Sequence, residues 1–482
     1  MNAIALPVAL PLLAAFLLPS LARVWRGAAW LLGPAILVVS LCVLFSVHDA
    51  HPESFMMAMG GFRPPLGIAF QVDGVAMLFA FLVAGVTLLL WPAWGTDEIM
   101  SRLAALTLLM VAAATGLALS ADLFNLYVFY ELLSVASFGL VSARRTGAAF
   151  AASFRYLVIS GMGSVLALLG IAIIYLKTGT LNIGHLGQLS PEALADPVGL
   201  AAFALLLLGF GVKAELFPVN TWVPEVYAGA SARVAGLLAG LVSKLAVLVV
   251  VRMLFVVFPH DETRMLLLVL GIFGVLFGEL AAWAAQDMRR MLAYSSIGQL
   301  GMIFIAFSLP GEAGWIAGLA LMLHHLVVKS GLFLIADRWG GALSVLTGAA
   351  RVSPIATGLF LLFSLSLIGV PPLPGFWAKL QLVGGLVDAG SGAYLTGLAV
   401  FLVATVIEAN YLFRLAVAMH TGDESEAPQP SRGNLATSAL LGGLLVAAIF
   451  LLTPLHEGIG ELALIGADAS GYIDVQMAGG TR

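Results

Sequence analysis

Charge is scarce in this sequence: Asp, Glu, Lys and Arg together make up 10% of 482 residues. Soluble domains carry about 25%, so a chain with a mainly water-facing surface is excluded. Cysteine is almost absent too. The one thiol, Cys42, lies in an apolar run, which excludes an internal disulfide and leaves no zinc or iron–sulfur ligand set. There is no basic excess: a net charge of −4 gives no signal for nucleic acid. Strict apolar/polar alternation is also missing, which excludes a membrane β-barrel. No cofactor motif, catalytic centre or redox centre is evident in the chain.

Continuous hydrophobicity takes their place. Apolar residues make up 61% of the chain, and apolar runs of membrane length recur from end to end. The expectation is an all-α polytopic membrane protein with about fourteen transmembrane helices. The spans are expected at 2–21, 27–47, 72–94, 102–119, 123–141, 149–176, 198–228 (broken), 231–258, 264–285, 292–309, 313–336, 354–386 (broken), 393–419 and 434–455. The first run has no basic segment before it and no small-residue cleavage site, so it is expected to be a span and not a removed signal. Loops after odd-numbered spans hold Arg23, Arg26, Arg102, Arg144, Arg145, Arg233, Arg289, Arg290, Arg338, Arg351 and Arg432, against Arg63, Lys177 and Arg264 after even-numbered ones. The positive-inside rule then places the odd loops in the cytoplasm of an inner (plasma) membrane, with both termini on the periplasmic side.

The chain divides by pattern into helices 1–3 (1–101), a first repeat (102–258), a second repeat (259–420), and a C-terminal loop, helix and tail (421–482). The first repeat has Glu131, a broken helix with Lys213, and a helix with Lys244. The second has Lys329, a broken helix with Lys379, and a helix with Glu408. Five spans per unit is an odd number, so the second copy enters the membrane inverted, as in many transporters.

The chain has five lysines, and all but Lys177 fall inside expected spans. A charged residue at the centre of a span costs about 2.5–3.5 kcal/mol on insertion scales and marks an ion or substrate path. Snorkelling is excluded for Lys244, about a dozen residues from either end of its helix at ~1.5 Å per residue. Burial disfavours a lysine's charged form, and a neighbouring carboxylate restores it. Glu131 and Lys213 are therefore expected to act as a switch. Pro218 and Pro224 break one helix, and Pro371, Pro372, Pro374 and Gly375 break the other. Each break frees carbonyls beside a lysine. His324 and His325 precede Lys329, and the i, i+4 spacing of His325 and Lys329 suits a proton relay. Gln299 is expected along the same path, and Ser295 and Ser296 are expected either there or as helix-packing serines. Glu408 is expected to be a terminal proton donor or acceptor. Glu215 is either a path carboxylate or a residue tied to freed backbone, and Glu279 is expected to be structural. No metal site is expected.

The segments FYELLSVASFGLV, GVKAELFPVNTWVPEVY, AGLLAGLVSKLAVLVVVR, AQDMRRMLAYSSIGQLGM, LHHLVVKSGLFLIADR and LIGVPPLPGFWAKL, between about 122 and 386, resemble the antiporter-like membrane subunit family. Mrp-type sodium/proton antiporters, complex I membrane arms and group 4 membrane-bound hydrogenases share that family. The resemblance implies fourteen helices with two inverted five-helix repeats, no cofactor in this chain, and a proton path through Glu131, Lys213, Lys244, Lys329 and Lys379 with His325 nearby. HHLVVKSGLFL and Gln299 are similar to the D-type member of the Mrp antiporters, whereas IEANYLFRL is similar to hydrogenase or complex I relatives. The resemblance implies other membrane subunits as partners, with protons and Na+ or another monovalent cation as transported ions. A proton-pumping subunit of an electron-transfer enzyme is the alternative, and a part in the uptake of a small inorganic solute is a third reading.

Overall fold

The computed structural model describes residues 2–479 apart from 26, 61, 63, 64, 66 and 422–424. Arg26 and Arg63, both used in the loop-charge comparison, lie outside the described residues. The order is α1 (Leu6–Val24), α2 (Ala28–Ala50), β1 (Phe55–Ala58), β2 (Ala69–Val72), α3 (Gly74–Leu89), α4 (Glu98–Leu119), α5 (Leu123–Ser142), α6 (Gly147–Thr178), α7 (Ile183–Ala193), α8 (Pro197–Gly211), α9 (Val223–Gly229), α10 (Ala232–Leu237) and α11 (Ser243–Arg252). Then follow α12 (Asp261–Ala284), α13 (Met288–Ser308), α14 (Gly311–Ile335), α15 (Ala349–Val352), α16 (Pro354–Ile368), α17 (Pro374–Ala389), α18 (Gly392–His420), α19 (Arg432–Phe450), α20 (Leu452–Ala467) and α21 (Ala469–Gly479). Ten of the helices start on a side-chain cap. Asp73, Asp97, Asp122, Thr146, Asn182, Asp196, Ser231, Asp287, Ser391 and Ser431 each accept a backbone N–H of the first turn.

The protein is an all-α polytopic membrane protein. Among the described residues, eleven helical segments are long and apolar enough to cross a bilayer, and α3, α8 and α16 are shorter apolar helices. Each of the three falls where one of the other expected spans was placed. α8 and α16 are the leading halves of the two helices expected to be broken. α10 and α11 run as one 26-residue segment, Ala232–Val257, through π-helical turns at Leu238–Val242 and Met253–Val257. Three pieces went unforeseen: a short antiparallel β1–β2 hairpin, α7 in the 177–197 connection, and α20–α21 after the last span. Pro454 lacks an N–H and sits in the first turn of α20, which suits the end of α19 at Phe450, short of the expected 455.

The helices gather into two compact units. One comprises Met1–Lys213, Leu245–Thr263 and Ile465–Arg482, and the other Ala214–Lys244 and Arg264–Leu464. In the first, α1 packs on α4, α4 on α5, α5 on α6 and α6 on α8, while α21 returns to cover α7 and β1. Gln71 Nε2 donates to Tyr472 O at 3.2 Å, and the Gly184 amide donates to Gln476 Oε1 at 2.8 Å. In the second, α14 lies at the centre, flanked by α10, α13, α17 and α19. Arg289 serves the open C-terminal ends of α9 and α14, donating to the carbonyls of Ala228, Ala230, Ala336 and Asp337. Helix-end carbonyls have no intrahelical donor, so this one guanidinium satisfies four of them.

Candidate functional site

In the first unit, α5 carries Glu131, α6 carries Ser160 and Ser164 one turn apart, and Lys213 follows the end of α8. Lys213 Nζ donates to Ser160 Oγ at 2.9 Å, and Ser164 Oγ donates to Glu131 Oε1. Each member of the expected acid–base pair thus bonds a serine of α6, and the two serines stand one turn apart. The Lys213 side chain is 1% exposed. Its ammonium lies 4.3 Å from the Tyr130 ring centroid, 5.4 Å from Tyr156 and 5.8 Å from Phe138. Aromatic faces attract a desolvated cation by about 2 kcal/mol or more, so this cage holds the charge without a direct counter-ion. Tyr130 also donates to Gly209 O at 3.0 Å near the end of α8. A second buried charge pair in this unit, Arg252 with Asp73 at 3.4 Å, was not anticipated.

The second unit holds the other sequence-selected residues. Lys244 Nζ donates to Ala239 O, within the π-helical turn, and to Ser243 Oγ at 3.1 Å. π-Helical turns recur at functional sites. The same ammonium meets His325 Nδ1, and His325 Nε2 lies 3.3 Å from Ser296 Oγ. The i, i+4 pairing of His325 with Lys329 is therefore not the contact formed. Lys329 Nζ instead donates to Ser295 Oγ at 2.7 Å and Leu292 O at 3.1 Å. His324 Nε2 lies 2.9 Å from Ser366 Oγ on α16. Lys379 Nζ donates to Glu408 Oε2 at 2.8 Å and to Ile368 O at 3.3 Å, the last carbonyl of α16. Gln299 Nε2 donates to Glu408 Oε1 at 2.7 Å, which binds it to this pair and not to the histidines.

The breaks have local causes. α16 ends at Gly369 in the left-handed region (φ 92°), Pro371 and Pro372 follow, and Pro374 is the first residue of α17. Gly375 must be glycine for space: a Cβ there would lie 1.8 Å from Ser366 O and 2.7 Å from His324 Nε2. In the other break, Pro218 lies among turns and Pro224 enters α9 at its second residue. Glu215 adopts φ 58°, a left-handed conformation costing a non-glycine residue about 1–2 kcal/mol. It is 1% exposed, and its Oε1 accepts from Tyr227 Oη at 2.6 Å. Its carbonyl also takes the Asn220 amide at 3.2 Å.

Besides Arg252 and Asp73, the residues missed from sequence are hydroxyls: Ser160, Ser164, Ser366, Tyr227 and Tyr411. The pair in SGMGS shows four-residue spacing within an apolar run, which puts both serines on one helix face. The others leave no such mark.

Residues 120–407 match the family described as NADH:quinone oxidoreductase/Mrp antiporter, TM. The chain is 32% identical to the N-type subunit of the NADH-quinone oxidoreductase of Desulforudis audaxviator over 89% of both chains. It is 28% identical to the D-type subunit of the Na(+)/H(+) antiporter of Bacillus subtilis, covering 95% of this chain and 94% of that one. Among solved structures, a chain of the membrane-bound sulfane sulfur reductase, an archaeal respiratory membrane complex, superposes with a TM-score of 0.89 at 29% identity, covering 98% of this chain and 100% of its own. A chain of the Mrp complex from Dietzia sp. also superposes at 0.89, with 25% identity over 98% and 99%. The match spans the stretch that holds both broken helices and the buried lysines, and the chain belongs to the NADH:quinone oxidoreductase/Mrp antiporter transmembrane family.

Proposed function

We propose that this chain is the proton-translocating subunit of a multisubunit cation/proton antiporter, of the Mrp D-like kind. The observation that carries the reading is the Glu131–Ser164 and Ser160–Lys213 arrangement. Here an acid and a base each bond a hydroxyl that both accepts and donates protons, and the two hydroxyls lie one turn apart on α6. Protonation of Glu131 removes the negative charge that favours the Lys213 ammonium, and the proton moves on. Lys244 with His325, Lys329 with Ser295, and Lys379 with Glu408 supply further exchange points.

The same order of roles along the chain supports residues 102–258 and 259–420 as two copies of one inverted unit. The coupled ion is Na+ or another monovalent cation, the partners are other membrane subunits, and the membrane is the inner one with both termini outside. The second reading is a proton-pumping subunit of an NADH-quinone oxidoreductase or membrane-bound hydrogenase. It is favoured by Glu408 in IEANYLFRL, held on Lys379. Subunits co-purifying in mild detergent separate the two: iron–sulfur or nickel proteins belong to the second, small hydrophobic antiporter subunits to the first.

The test is proton flux in proteoliposomes carrying the whole complex. Lys213→Ala or Glu131→Ala is expected to abolish flux while the complex still assembles. Normal flux in either variant would remove the switch.

A further inference from the structure

Glu279, expected to be structural, lies on α12. The structure gives it surroundings that packing does not explain. Its side chain is completely buried, and Oε2 accepts from Tyr411 Oη at 2.9 Å. Oε1 is buried and has no hydrogen-bond partner among the described residues. A polar atom left unpaired in this way costs about 1–3 kcal/mol, more when charged. Gly298 on α13 faces that oxygen: a Cβ there would lie 2.2 Å from Glu279 Oε1. The free oxygen occupies space that a side chain at position 298 would contest.

The phenol that binds Glu279 leads to a lysine. Ser295, whose hydroxyl receives the Lys329 ammonium at 2.7 Å, lies close enough to Tyr411 to act on its phenol. Tyr411 lies three residues after Glu408 on α18. Glu408, Lys329 and Lys379 are the charged groups acting on Glu279, together with the Tyr411 phenol. Lys379 is already matched by Glu408 at 2.8 Å.

We infer that Glu279 is a proton-binding site, reached from Lys329 through the hydroxyls of Ser295 and Tyr411. In one transfer Lys329 gives a proton to Ser295 Oγ, Ser295 gives its own to Tyr411 Oη, and Tyr411 gives its own to Glu279 Oε2. Both hydroxyls end neutral with their hydrogen bonds reversed, Lys329 ends as an amine, and Glu279 ends as a carboxylic acid. One O–H bond forms on Glu279 for the N–H bond broken on Lys329. The second carboxyl oxygen, free of partners, is where a proton can be passed on.

The inference rests on the proton-conducting reading above, and the experiment separates the two. The purified complex is reconstituted and its proton flux measured with wild-type, Lys329→Ala, Glu279→Gln and Tyr411→Phe chains. Infrared difference spectra are recorded on a pH step in the same preparations. Glu279→Gln is expected to slow flux about a hundredfold and to remove one carboxylic C=O band. Tyr411→Phe is expected to slow flux and shift that band, and the double variant to be no slower than the slower single one. Glu279→Asp, which keeps the carboxyl, is expected to retain a band and part of the flux. No flux in wild type defeats the proton-conducting reading itself. Wild-type flux lost in Lys329→Ala but kept in Glu279→Gln, with every carboxylic band still present, overturns only the role given to Glu279. Should Glu279→Gln fail to assemble, Tyr411→Phe decides: an unshifted spectrum with normal flux overturns the inference.

Discussion

The two units solve the same problem, a lysine in apolar surroundings, by different means. In the first, Lys213 has neutral neighbours: one serine hydroxyl and three aromatic faces, with the carboxylate of Glu131 set on the next serine along α6. In the second, Lys379 contacts Glu408 directly, and Gln299 occupies the other carboxylate oxygen. A lysine held by neutral groups can lose its proton without leaving a bare opposite charge. A lysine in a closed ion pair gives its proton to a third group less readily, because that leaves a buried carboxylate unpaired; transfer to the paired carboxylate itself neutralises both. The difference suggests a switch in the first unit and a tighter terminal station in the second.

The largest effect that tests this contrast is on stability. Removing one member of a buried ion pair costs about 3–5 kcal/mol, since the remaining charge has no partner. Glu408→Ala should therefore lower the melting temperature of the purified complex clearly, and Lys379→Met with Glu408→Gln should recover most of it while flux stays lost. Lys213→Ala takes away the charge itself and leaves a serine hydroxyl unpaired, about 1–3 kcal/mol at most. Equal destabilisation by Lys213→Ala and Glu408→Ala would erase the distinction between the two sites.

A smaller effect is expected from the hydroxyls. Ser160→Ala and Ser164→Ala each interrupt the path between Lys213 and Glu131, but a water can stand in for a lost hydroxyl at modest cost, so about a tenfold loss of flux is expected from either. The complex should assemble normally. Flux measured with these two variants tells whether the serines carry the proton or only separate the charges; unchanged rates would mean the latter.

What could be read from the sequence follows from what it contains little of. Five lysines in 482 residues make each one conspicuous, and Pro218, Pro224, Pro371, Pro372 and Pro374 mark the breaks by the backbone N–H they lack. Partner choice was not legible. The spacing of His325 and Lys329 puts them on one helical face, yet His325 meets Lys244, 81 positions away in sequence. Gln299 reaches Glu408, 109 positions away. Helical periodicity reports which face a residue occupies, not which helix comes to meet it. The surroundings of Glu279 were not legible for a related reason: distance from a helix end measures depth along one helix, whereas Tyr411 and Gly298 meet its carboxyl from two others. α21 was missed because its anchoring, through Tyr472 and Gln476, depends on residues hundreds of positions earlier.

The smallest effect concerns the remaining lysine. Lys177 bonds Asp196 at 2.5 Å, the same chemistry as Lys379 with Glu408, but the two side chains are 24% and 45% exposed. The Lys177 ammonium holds the Asp196 carboxyl below the usual carboxylate range. A carboxyl with a lowered folded-state pKa adds stability that is present above its unfolded value and lost as pH falls through the folded one. The pair's small contribution is thus complete at neutral pH, fades only in acid, and is screened by salt. Lys177→Ala should leave proton flux unchanged and shift the melting temperature barely at pH 7, less still at high salt. If it slowed flux as Lys213→Ala is expected to, dryness would not be what sets the buried lysines apart, and the contrast between wet and buried ammonium groups would lose its meaning.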